Sequence, residues 1–124
     1  MKAILSSKVL IFLVALLFLR SCEVNQAPSC LISEPIDGFR ATRGDVIAVS
    51  VNAGDEEGNV SEVRLFLNKS ALVTLHFPFS YEINTEKFTP GNYSLEAIAV
   101  DSEGLQSSDE VDFILHPLGW NESN

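Results

Sequence analysis

The chain has 124 residues, 46% of them hydrophobic and 20% charged, which is enough for one domain with its own core and no more. Its 8 Lys and Arg stand against 17 Asp and Glu, a formal net charge of −9. With no basic stripe to offset that charge, a nucleic-acid backbone is excluded as a partner, and 2 cysteines are too few for a framework of several disulfides.

Lys2 and Lys8 precede an uncharged apolar run, Val9 to Leu19, of 11 residues. A helix crossing a bilayer needs about 20, so this run has the length of a secretion-signal core and not of a permanent anchor. Leu19-Arg20-Ser21-Cys22 follows directly. This arrangement resembles a bacterial lipoprotein signal: an apolar residue three before the cysteine, a small one just before it, then the cysteine that takes the lipid. Arg20 departs from the small or apolar residue usual at its position. The resemblance implies a signal peptide over residues 1–21, lipidation at Cys22 and a tether over residues 22–28. The plainer readings are an ordinary signal peptide with a chance cysteine, or an uncleaved anchor.

On the lipoprotein reading the membrane is a partner, and the location is the bacterial cell envelope, at the outer membrane or cell surface. Two or three acyl chains make such an attachment stable where one is marginal. Cleavage before Cys22 leaves Arg40, Arg43, Arg64, Lys69 and Lys87 against all 17 acids, a net charge of −12. Cys30 then has no partner within the chain and reads as a small buried apolar residue; without lipidation, a short Cys22–Cys30 loop is open to it.

From Ser29 onward the pattern is that of strands. Ser29 to Ser33 places Cys30 and Ile32 on one face, and Glu34-Pro35-Ile36-Asp37-Gly38 is a turn, since proline lacks a donor and glycine accepts a positive φ. Phe39 to Thr42 continues the sheet edge. Asp45 to Ala53 alternates with Ile47, Val49, Val51 and Ala53 inward, and Ser61 to Asn68 buries Val63, Leu65 and Leu67. Ala71 to Phe77 is β-rich and ends at Pro78, which suits an edge or a change of sheet. Phe79, Tyr81 and Ile83 alternate with polar residues.

Gly91 to Gly104 holds a strand between two turns, with Tyr93, Leu95, Ala97 and Ala99 on one face and Ile98 and Val100 making the far half apolar on the other. Asp109 to Leu115, after a polar link at Gln106 to Ser108, buries Val111, Phe113 and Leu115. The tail, residues 117–124, is expected to be mobile from Gly119. No helical spacing occurs after Cys22, turn signals recur every ~8–12 residues, and about seven strands result.

Ser33-Glu-Pro35-Ile-Asp37-Gly38, Gly44-Asp45, Ala53 to Gly58, Val63-Arg-Leu65-Phe-Leu67-Asn68, Pro78-Phe-Ser-Tyr81 and Gly91 to Gly104 together resemble the bacterial immunoglobulin-like domains of secreted and cell-surface proteins. The resemblance runs from about Pro28 to Leu115. It implies an all-β fold, an immunoglobulin-like Greek-key β-sandwich over residues 29–116, of the branch without an inter-sheet disulfide, because the sole tryptophan, Trp120, lies in the tail and no cysteine pair lies in the strands. In such a fold Tyr93, just after Pro90-Gly91, is placed to hydrogen-bond back to the preceding connection as a tyrosine corner.

Candidate chemistry is sparse. Asp55, Glu56 and Glu57 follow one strand and Asp101 and Glu103 follow another, in the shared form Ala-x-Asp-x-Glu-Gly. Hard cations take several oxygens, so Asp55, Glu57, Asp101 and Glu103 are the residues that could hold calcium, while the same residues also suit tight turns with solvated acids. No other cofactor is expected. His76 and His116 have no neighbouring ligand at metal spacing, and no nucleophile has a histidine in matching context, so catalytic residues are not expected.

Phe66, Phe77 and Tyr81 could form an exposed platform for a sugar or protein, against core packing as the plainer role. The expected function is a lipid-anchored envelope module that binds or displays a protein or glycan. The alternative is an accessory module or small enzyme of extracellular polysaccharide degradation.

Overall fold

The computed structural model describes residues 26–55 and 59–122; the signal segment, Cys22 and Glu57 lie outside them. Eight strands are present: β1 (Ser29–Glu34), β2 (Phe39–Thr42), β3 (Val46–Gly54), β4 (Val60–Leu67), β5 (Ser70–Leu75), β6 (Ser80–Asn84), β7 (Gly91–Asp101) and β8 (Gln106–His116). They form a sheet of three, in the order β1-β3-β6, facing a sheet of five, β2-β8-β7-β4-β5. The immunoglobulin-like sandwich expected from the sequence is therefore the fold.

Three local differences have physical reasons. Phe39–Thr42 does not extend the edge of the first sheet: the chain crosses at the Pro35–Gly38 turn, and β2 pairs in parallel with β8, Phe39 opposite Phe113 and Thr42 opposite His116. Asp37 fixes this crossing, accepting the Asp112 N–H at 2.8 Å while the Gly38 N–H donates to the Asp112 carbonyl. Residues 106–108, polar though they are, belong to β8, because Val100 pairs with Gln106 and the register continues unbroken to Gly91 and Leu115. Finally, β5 ends at Leu75, which puts Phe77 in the connection outside the strand.

The inward residues alternate as their strands require. Ile47, Val49 and Val51 of β3 and Ile83 of β6 face Val63 and Leu65 of β4, Leu95, Ala97 and Ala99 of β7, and Val111, Phe113 and Leu115 of β8, all of them buried. At about 25 cal/mol per Å² of apolar surface removed from water, this layer is the main favourable term of the fold. On the outer face of β7 Val100 is buried and Ile98 half-buried, so the far half of that strand is apolar and covered on both sides.

Registers sort the strand ends into two poles. Ser29 pairs with Gly54, Val60 with Asp101 and Val63 with Leu75, which gathers residues 26–28, Asp55, Asn59, the β5–β6 connection and the β7–β8 turn at one pole. At the other, Val46 meets Asn84, Leu67 meets Ser70, and His116 meets Thr42. Buried Thr85 closes this second pole, donating through Oγ1 to the Asp45 carbonyl at 2.6 Å and accepting the Gly44 N–H at 3.0 Å.

Tyr93 forms the expected corner. Its hydroxyl donates to the Thr89 carbonyl at 2.5 Å, and its ring stacks on Phe113 with centroids 5.3 Å apart. Tyr93→Phe keeps the ring and deletes one hydrogen bond, so thermal denaturation is expected to show a loss of about 1 kcal/mol.

Candidate functional site

The buried acid of the first pole is already engaged. Asp101 ends β7 and is buried; its Oδ1 accepts the N–H groups of Glu103 at 2.9 Å and Leu105 at 2.8 Å, which folds the Asp101–Gly104 turn back on itself. Gly104 has a φ of +89°, a conformation open mainly to glycine, and that is why the motif ends in one. The Ser102 N–H donates to the Asn59 carbonyl at 2.9 Å, so the two echoed loops are joined through backbone. Of the candidate cation ligands, Asp55 and Asp101 share this pole, Glu103 is exposed, and Glu57 lies outside the described residues. Among the described residues no three His, Cys, Asp or Glu side chains converge on a common point.

The aromatic candidates separate. Phe66 is half-buried beside a β-bulge in β4, opposite Glu96, and Tyr81 packs against the core. Phe77 is 87% exposed and meets Phe79 edge to face, with centroids 5.8 Å apart. It overhangs a groove of about 430 Å³ whose polar lining includes Ser29, Ser50, Asn52 and Ser80. Beside it, Gln26, Pro28, Gly54 and Asp55 line a second cleft, so the chain enters the domain next to Phe77.

Among the described residues neither histidine joins a cluster of three or more His, Cys, Asp or Glu side chains. His76 is exposed, with Nδ1 3.3 Å from the Ser61 carbonyl. Cys30 is half-buried; burial pushes its thiol above the ordinary value and the nearby Asp109 carboxylate adds to the shift. Its Sγ lies 3.5 Å from the Ala97 carbonyl. A thiol held protonated in this way is a poor nucleophile, as its small apolar reading requires.

One arrangement at the second pole was not read from the sequence. Trp120, placed in a tail expected to be mobile from Gly119, lies parallel to the His116 imidazole, centroids 3.6 Å apart and planes 4° apart. The Trp120 N–H closes a turn onto the Pro117 carbonyl at 3.1 Å, and Gly119 supplies the positive φ. Proline and glycine on either side of Leu118 were the available signal; the stacking partner could not be read without the turn.

The hydrogen bonds at Asp101 give it a structural role that can be measured. Asp101→Ala leaves two N–H groups without their acceptor, and urea denaturation is expected to show a loss of about 1–3 kcal/mol. Calcium is expected to leave the melting midpoint of the unaltered protein unchanged, because the Asp101 carboxylate is committed to its own turn; a rise in the midpoint would give these loops a cation role.

No curated protein sequence matches the chain. Among solved structures it is similar to the fibronectin(III)-like modules of Clostridium thermocellum CbhA, with a TM-score of 0.69 and 20% identity over 81% of this chain and 53% of that one. It is also similar to the endo-β-1,4-mannanase from Thermotoga petrophila, with a TM-score of 0.60 and 10% identity over 78% of this chain and 21% of that one. A third likeness is to SGBP-B of the Bacteroides ovatus mixed-linkage glucan utilization locus, in complex with a mixed-linkage heptasaccharide, with a TM-score of 0.55 and 16% identity over 80% of this chain and 26% of that one. The chain thus spans about half of the first structure and about a fifth to a quarter of the other two, and at these identities the likeness concerns the fold alone. Residues 28–97, from just before β1 through most of β7, match the family described as Bacterial Ig domain, and the chain belongs to that family.

Proposed function

We propose that this chain is a non-catalytic accessory module of extracellular polysaccharide handling, held at the bacterial envelope by lipid on Cys22 and engaging glycan with the end of the sandwich remote from its tether. The observation that carries this reading is a small Ig-like sandwich similar to parts of CbhA, of a mannanase and of a glucan-locus protein crystallised with an oligosaccharide. Between the two functions open at the sequence level, these likenesses favour the polysaccharide accessory over general adhesion. The protein-binding reading keeps one specific support. β5 has an open edge over Ser70–Leu75 with no charge or proline to block it, and such an edge can accept a partner's strand.

Native gels cast with hydroxyethyl cellulose, glucomannan or xylan test the reading. Retardation in at least one gel is expected, with no release of reducing ends from any of these polymers. Release of reducing ends would make the protein an enzyme, and unretarded migration in all gels would return the choice to protein binding. The anchor is tested separately: Cys22→Ser is expected to move the protein from the membrane fraction to the soluble fraction or to leave the precursor unprocessed, and unchanged fractionation and mass would remove the lipid from this account.

A further inference from the structure

We propose that the cleft at the second pole, between β2 and the Pro117–Trp120 turn, is a saccharide subsite that takes one neutral pyranose ring of a glycan, with Trp120 as its platform. The cleft measures about 510 Å³ and is lined by Arg40, Thr42, His116, Trp120, Asn121 and Glu122. That size falls within the ~300–1,000 Å³ range of small-molecule clefts.

Four observations converge on it. First, the chain's single tryptophan is partly exposed here, with one face taken by His116, so the exposed part of a rigid, amphipathic ring lines the opening. A pyranose with equatorial hydroxyls presents a flat face of C–H bonds to such a ring while its hydroxyls project sideways.

Second, the platform stacks on a residue that a strand holds in place. His116 ends β8, pairs with Thr42 of β2, and accepts the Arg43 N–H on its carbonyl at 2.8 Å. The stack is close enough that His116 Nε2 is buried with no hydrogen-bond partner, so ring contact is what covers it. Arg40, Thr42 and His116 thus stand on strands, and the Pro117–Trp120 turn that carries the platform is closed on β8 by the stack on His116.

Third, the rim mixes donors and acceptors. The Arg40 guanidinium can only donate, the Glu122 carboxylate only accept, and Thr42 and Asn121 do both, which suits the vicinal hydroxyls of a sugar, each a donor and an acceptor at once. Fourth, charge selects within glycans. Arg40 and Glu122 offset one another at the cleft while the whole chain carries −9, so a polyuronate is repelled and a neutral chain is not.

The inference rests on the accessory-module reading and adds the place and the sugar class. Because Trp120 is the sole tryptophan, intrinsic fluorescence reports on the cleft itself. Titration of the full mature chain with cellohexaose and mannohexaose is expected to shift and change the intensity of Trp120 emission, saturably, with at least one of them, and polygalacturonate oligomers are expected to do nothing. Trp120→Ala is expected to abolish retardation in the neutral-polysaccharide gels, and Arg40→Gln to weaken it about tenfold or more, with melting midpoints showing that both variants fold. Should Trp120→Ala fail to fold, the emission titration and the Arg40→Gln variant decide alone. Retardation that survives Trp120→Ala, or is lost in Phe77→Ala instead, would overturn the placement and leave the accessory reading standing. A response to polygalacturonate alone would overturn the sugar class, and no response to any polymer would overturn both.

Discussion

The structure depends on β7 being paired on both sides. Its residues meet β4 from Val60 opposite Asp101 to Leu67 opposite Leu95, and β8 from Gly91 opposite Leu115 to Val100 opposite Gln106. A strand hydrogen-bonded along both edges has its backbone satisfied, so its inward side chains are free to serve packing alone. Leu95, Ala97 and Ala99 are all at 0% exposure, and the two alanines are small where β1 crosses the sandwich closely enough to set the Cys30 sulfur against the Ala97 carbonyl. A larger residue at either alanine would have to displace the three-stranded sheet, since a close-packed core has no room to absorb it.

That central strand also divides the molecule's ends. At one pole it finishes in Asp101, whose carboxylate is turned inward to its own loop, and the neighbouring Asn59 carbonyl ties that loop to the next. Polar groups there serve the turns, and Phe77 and Leu105 are its exposed large apolar side chains among the described residues, Phe77 next to where residues 26–28 enter. At the other pole β7 begins beside the Tyr93 corner, and the β2, β6 and β8 ends are tied together through Thr85, Asp45 and His116. Here the side chains of Arg40, Trp120 and Glu122 line a cleft.

Legibility from sequence followed the range of the interactions. Alternation within β3, β7 and β8 is local, and the inward residues read from it, Val49, Leu95 and Phe113 among them, are those the core contains. The tyrosine corner was legible because donor and acceptor are four residues apart and a Pro-Gly pair marks the bend. The parallel pairing of β2 with β8 was not, since a four-residue strand carries almost no periodic signal and its partner lies more than seventy residues away. Phe77 was read as the end of a β-rich run because apolar content does not show where a ladder stops. The His116–Trp120 stack escaped for a third reason: aromatic stacking has no sequence period, and the turn that brings the rings together is read only as a place where a strand ends.

β8 links these levels. It starts at Gln106 in the turn that Asp101 organises and ends at His116 under Trp120. Its eleven residues, at about 3.3 Å each, carry the chain roughly 35 Å from one pole to the other. Because β8 is paired with β7 along nearly its whole length and with β2 at its end, that distance is set by ladder geometry and not by a flexible connection. The cleft beside Trp120 therefore lies a fixed strand length from the pole at which residues 26–28 enter. That separation follows from the same double pairing that builds the core.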